Sequence, residues 1–213
     1  MATYDLEEQE QLATLKAWWK DNGDLVMTTV SLVLIMLAAW QAWNYYQRNQ
    51  AAQASALYGA VQKAAGAGDL KQVRESAGAV LAQYPRTAYA ALAALVSAKA
   101  HFQGGDLKTA HAQLAWVAEN AKDEALQDIA RLRLAIVMLD EKAYADALKV
   151  LDAGHGPAFD TPFLAARGDV LVAQGKKEEA RSAYKSALDK AGANDAGLRD
   201  SIRLRLDALG TAK

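Results

Sequence analysis

The sequence predicts an all-α protein: a single N-terminal transmembrane helix, then an α-solenoid of about four helical hairpins and a C-terminal capping helix. Three observations carry this expectation. Between Asp24 and Arg48 lie 23 residues without a charge, LVMTTVSLVLIMLAAWQAWNYYQ. The tetrapeptide Gly-Asp-Leu-Lys stands at Gly68–Lys71 and again at Gly105–Lys108, an offset of 37 residues. The stretch after the apolar run is rich in Ala and Leu, holds all 3 prolines, and lacks the short alternating runs that mark strands.

Residues 1–23 read as an acidic leader. Up to Asp24 the chain carries Asp5, Glu7, Glu8, Glu10, Asp21 and Asp24 against Lys16 and Lys20, a net charge of −4. Leu12, Leu15 and Trp19 share one helical face while Glu7, Glu8 and Glu10 are solvated. An acidic leader gains nothing from anionic lipid, so this face suits a protein contact better than adsorption to the bilayer.

Residues 24–46 read as the transmembrane signal-anchor helix. A hydrocarbon core of ~30 Å needs about 20 apolar residues, which Leu25 to Trp43 supply. Val26, Val30, Leu32, Val33, Leu34, Ile35, Met36 and Leu37 cover every side of a helix, unlike the single stripe of a soluble core helix. Trp18 and Trp19 before the run, and Trp40, Trp43, Tyr45 and Tyr46 at its far end, match the aromatic belts of a spanning helix. A cleaved signal peptide wants a short basic leader and small residues at a cleavage site, and neither is here. Lys16 and Lys20 on one side face Arg48 and Lys63 on the other, so the positive-inside rule leaves the orientation open.

Residues 47–53 are expected as a linker and 54–210 as the repeat domain. Each corner Gly can close one helix in a left-handed conformation while Asp69 or Asp106 accepts hydrogen bonds from the amides that open the next. The corner recurs more loosely at Lys142–Ala147 and Gly175–Ala180, and the second helices then pass through Val73, Ala110, Ala147 and Ala180. Four copies satisfy the need of each hairpin to bury its apolar face against a neighbour. The last copy resembles a tetratricopeptide repeat in Leu164, Gly168, Leu171, Gly175, Ala180, Tyr184 and Ala187, with Gly168 and Ala180 permitting close helix approach. Residues 153–162 interrupt the array, and Thr161-Pro162 suits an N-cap followed by proline. In the stretch Asp195–Leu209, Leu198, Ile202, Leu206 and Leu209 fall at helical spacing, as a capping helix requires.

Signatures of catalysis are missing. There is no GxSxG, HExxH or GxGxxG, and Gly168–Lys177 misses the phosphate-loop spacing, so no enzyme and no cofactor is expected. With 0 cysteines the chain has no disulfide and no thiolate site, and His101, His111 and His155 are too far apart in sequence for an obvious metal set. His101 is expected to pack in the interior. Residues 48–213 hold 22 Lys plus Arg and 19 Asp plus Glu without a basic cluster, which argues against nucleic acid.

The remaining candidate is the face built by the first helix of each hairpin, which in solenoids receives peptides or partner helices. Projection places Tyr58, Gln62, Leu92, Leu95, Lys99, Phe102, Leu132, Ile136, Leu139 and Asp169 there. The same residues equally suit packing against neighbouring helices or the terminal cap.

Taken together, the chain resembles the YfgM family, the tetratricopeptide-repeat ancillary subunit of the bacterial Sec translocon. The features that carry the resemblance are Glu7-Glu8-Gln9-Glu10-Gln11, Leu15-Lys16-Ala17-Trp18-Trp19, Asn22-Gly23, the single span, and repeats including Leu132-Arg133-Leu134-Ala135. It implies a cytoplasmic leader, one inner-membrane helix and a periplasmic repeat domain beside the Sec translocon subunits. Such a scaffold would link translocation to periplasmic chaperones or emerging polypeptide chains. A direct holdase for emerging clients and an envelope-assembly scaffold unrelated to the translocon are the alternatives, and homo-oligomerisation stays open.

Overall fold

The structure, a computed structural model, describes residues 2–192 and 195–210, with side chains described from Glu8 onward. The expected solvation of the Glu7 side chain lies outside the described residues. The elements are α1 (Ala2–Gly66), α2 (Leu70–Gln83), α3 (Ala88–Gln103), α4 (Leu107–Asn120), α5 (Glu124–Asp140), α6 (Tyr144–Leu151), a 3₁₀ turn (Pro157–Phe159), α7 (Asp160–Ala173), α8 (Lys177–Lys190) and α9 (Ala196–Ala208). No strand occurs among the described residues. The chain divides into two units, Met1–Asn49 and Gln50–Lys213.

In the first unit α1 is long and apolar enough to cross a membrane. Leu25, Met27, Val30, Leu32, Val33, Leu34, Ile35, Met36 and Leu37 are all exposed, so its apolar residues cover the circumference rather than one stripe. Thr28 and Thr29 donate their hydroxyls to the carbonyls of Asp24 and Leu25 at 2.7 and 2.8 Å, which leaves no orphan donor on either side chain. Trp19 lies over Gly23, where an added Cβ would sit 3.3 Å from the indole Nε1. Residues 47–53, expected as a linker, are helical within α1. They contain no Gly or Pro to interrupt the backbone hydrogen bonds.

The second unit is the expected array. The C-terminal part of α1 packs on α2 through Val61, Ala64, Val73 and Ala77. Beyond it α3 pairs with α4, α5 with α6 and α7 with α8, and α9 packs on α8 at the end. Its core runs as three overlapping clusters, with Leu81 and Trp116 shared by the first two and Leu148 by the last two, as hairpins stacked each on its neighbour allow. Val73, Ala110, Ala147 and Ala180, the positions that align the second helices, are fully buried.

All four corners share one backbone geometry. Gly68, Lys142, Gly105 and Gly175 take positive φ values of 73°, 61°, 80° and 78°. The next amide then closes a six-residue turn, Asp69 to Ala64, Asp106 to His101, Ala143 to Met138 and Lys176 to Leu171, at 2.8–3.1 Å. Asp69 and Asp106 cap α2 and α4 by accepting from the amides of Gln72 and Thr109 at 3.0 and 3.1 Å. Gly210, at φ 77°, ends α9 in the same left-handed state, so the capping helix finishes like the first helix of a hairpin.

Neighbouring hairpins are clasped from one register position. Arg74, His111 and Arg181, each five residues after a corner cap position, reach the following corner. Arg74 donates to Asp106 at 2.5 Å, His111 Nδ1 lies 2.9 Å from Glu141, and Arg181 donates to the Gly210 carbonyl at 2.7 Å. In the third hairpin this position is Leu148, which packs into the core.

One expectation fails at the interruption. Thr161 does not cap α7: the 3₁₀ turn carries the chain into a helix that begins at Asp160, and Thr161 is buried inside it. The loop before it is fixed by buried Asp128 on α5, which accepts from the Gly156 amide and from Arg131 at 2.9 Å each, while Arg131 also donates to the Gly154 carbonyl at 3.0 Å.

Candidate partner-binding cleft

At about 3.6 residues per turn, positions i, i+3 and i+4 of a helix share one face. On α3 the spacing i, i+3, i+4 brings Lys99, Phe102 and Gln103 to one face; on α5 the same spacing brings Arg133, Ile136 and Val137, each 34 positions later. Together with Ala98 and, from α4, Leu114, they line a cleft of ≈ 340 Å³ between the two helices. Ile136 is 43 % exposed there. The only charged groups in the lining are the cations Lys99 and Arg133, and among the described residues neither has an ion-pair or side-chain hydrogen-bond partner.

The projected face thus separates into four parts. Lys99, Phe102 and Ile136 come together in the cleft. Leu95 is buried, Leu92 is half-buried, and Leu132 and Leu139 pack partly buried against the core, because the open face of α5 runs through Arg133 rather than Leu132. Gln62 donates to the Tyr58 hydroxyl at 3.1 Å, and Tyr58 packs on Tyr89 with ring centroids 5.8 Å apart. Asp169 is occupied by the cap side of the molecule, accepting from Tyr184 and from Arg205 on α9 at 2.7 Å each. Burial, and then Asp169, push the Tyr184 phenol well above its usual range. Sequence reading missed Arg133, Gln103, Val137, Ala98 and Leu114; counting back three residues from Ile136 would have found Arg133.

Behind the cleft, His101 is buried to 1 % exposure. Its Nδ1 lies 3.2 Å from Asp106, outside hydrogen-bonding angles, and both ring nitrogens lack a hydrogen-bond partner. Burial lowers its pKa from the ordinary 6.5, with Arg74 adding to the effect and Asp106 opposing it. Asp106 itself is held below the usual carboxylate range, first by its hydrogen bonds from Thr109. These groups pack and tie the corner; none is placed for proton transfer to a ligand. Among the described residues no group of three His, Asp or Glu side chains is arranged to hold a metal ion.

In the leader, Leu12, Leu15, Trp18 and Trp19 are half or more exposed, with the two indoles 6.5 Å apart. The expected contact face of Leu12, Leu15 and Trp19 is therefore open to solvent in the first unit.

Comparison with known proteins covers both units. The chain matches the family described as a tetratricopeptide repeat-like domain over residues 16–211. It is 31 % identical over 208 residues to a protein of Neisseria gonorrhoeae named ancillary SecYEG translocon subunit, covering 96 % of this chain and 98 % of that one. Proteins with the same name from Haemophilus influenzae and Escherichia coli are each 30 % identical, covering 86 % and 85 % of this chain and 90 % and 87 % of theirs. No solved structure matches the chain.

Proposed function

The chain belongs to the family of ancillary SecYEG translocon subunits, and from that premise we propose that it is a membrane-anchored adaptor of the Sec translocon without catalytic activity. The observation that carries this reading is likeness over nearly the whole chain, apolar helix and repeats alike, to proteins bearing that name. In this reading the apolar run of α1 crosses the inner membrane once and touches the channel, the leader is cytoplasmic, and the repeat unit is periplasmic. The first-helix face, centred on Lys99, Phe102 and Ile136, then receives a periplasmic chaperone or an emerging chain.

Photo-crosslinking in membranes from probes in Leu25–Trp43 and at Phe102 and Ile136 tests it. Channel subunits captured from the span, with a chaperone or nascent chain captured from the cleft, are the expected result. Correct insertion with neither capture sinks the reading. The open apolar cleft also favours a direct holdase, which would suppress aggregation of an unfolded client when the full chain is added alone in detergent.

A further inference from the structure

Resting on that reading, we propose that the α3–α5 cleft takes an acidic segment of a partner protein, one apolar side chain seated on Phe102 and Ile136 and its flanking carboxylates meeting Lys99 and Arg133. Three observations converge on this occupant. The floor is apolar, made by Ala98, Phe102, Leu114, Ile136 and Val137, and its volume of ≈ 340 Å³ suits an anchor of one or two side chains rather than a long helix face.

The rim is charged with one sign only. Lys99 and Arg133 occupy equivalent positions 34 residues apart on the two helices and no carboxylate lines the cleft. Elsewhere among the described residues of the repeat unit most arginines are paired, Arg74 with Asp106, Arg131 with Asp128, Arg167 with Asp152 and Arg205 with Asp169, whereas lysines such as Lys108, Lys122 and Lys149 stand alone on open surface. What sets Lys99 and Arg133 apart is that both line one apolar cleft. Two cations on the rim of one cleft, with no carboxylate in its lining, give it a positive potential that a partner carboxylate complements.

Ile136 supplies the third observation. Among the described residues of the repeat unit, large exposed hydrophobics are few, Ile136, Val172 and Leu204, and Ile136 is the one that lies in a cleft. A basic or neutral partner segment would leave the rim unpaired, so discrimination follows from the charge of the residues beside the anchor.

The test uses the full chain in detergent and three fluorescent peptides sharing one central leucine, flanked by Asp and Glu, by Asn and Gln, or by Lys and Arg. Anisotropy at low salt is expected to show the acidic peptide binding about tenfold tighter than the amide peptide, with the gap closing as salt rises. The double reversal of Lys99→Glu and Arg133→Glu should abolish that preference, while Ile136→Asp weakens the acidic peptide without changing the helical signal. Equal binding of all three peptides, or a preference that survives the double reversal, overturns the proposal. If no peptide binds yet the Ile136 probe still captures a chaperone or nascent chain in membranes, the proposal falls and the adaptor reading stands. If self-association of the full chain is what the double reversal removes, a second copy is the occupant and the proposal is overturned.

Discussion

At the scale of single residues, backbone conformation and burial each make a prediction. Lys142 occupies at φ 61° the corner place that glycine holds in the other three hairpins. A side chain in that state costs about 1–2 kcal/mol, partly offset by the greater freedom glycine has when unfolded, so Lys142→Gly should raise stability by up to about 1 kcal/mol in chemical denaturation. Gly168 is the opposite case, because an added methyl would be driven into the Tyr184 ring. The overpacking cost of about 1–3 kcal/mol exceeds the gain of about 1 kcal/mol in helix propensity, and Gly168→Ala should lower the thermal midpoint. The sequence made Gly168 legible as a close-approach residue through its spacing to Ala180 and Tyr184. His101 adds a pH dependence. Its folded pKa is lowered by burial below the 6.5 of the unfolded chain, so below pH 6.5 the unfolded state binds more protons. Stability should hold above that pH, fall as the pH drops through it, and level once the folded imidazole is charged. Denaturation midpoints across this range should show the slope, and His101→Leu should remove it.

At the scale of elements, helices and corners were legible because local chemistry writes them: Gly-Asp pairs stop one helix and cap the next within four residues. The path between α6 and α7 was not, since its anchor is Asp128, 28 residues from the Gly156 amide it holds. No local spacing announces a carboxylate that reaches that far. Projection of α5 found Ile136 but took Leu132 in place of Arg133, because the two differ by one step of about 100° and both suit a partner surface. Buried Asp128 makes the element-scale prediction. Asp128→Ala leaves the Gly156 amide without its acceptor and removes one of the partners of the partly exposed Arg131, which keeps Gln127 and the Gly154 carbonyl, a loss of about 1–3 kcal/mol. Amide exchange should then rise first in residues 152–163 and α7, where the loop is tied, and less in α3 and α4. Uniform acceleration across the repeat unit would show instead that the anchor holds the fold globally.

At the scale of the whole molecule, one helical element serves both units: α1 contributes the apolar run to the first and, through Ala54, Val61 and Ala64, the inner face of the first hairpin to the second. The first hairpin is thus completed by residues that a reading based on the span alone would assign to a tether. A repeat fragment beginning at Gln50 should unfold in one cooperative transition, whereas one beginning at Gly68 exposes Val73, Ala77 and Val80 and should bind a hydrophobic dye before melting. Orientation is the property that composition leaves open, with two lysines ahead of the run and Arg48 and Lys63 behind it. The adaptor reading requires the repeat unit to face the periplasm, and the chain carries its own assay. With 0 native cysteines, one introduced cysteine is a unique label. In intact spheroplasts a membrane-impermeant maleimide should modify Lys122→Cys, on the exposed loop between α4 and α5, and should reach Ala13→Cys only after lysis. The reverse pattern would place the repeats in the cytoplasm, out of reach of any periplasmic chaperone, and would overturn the adaptor reading.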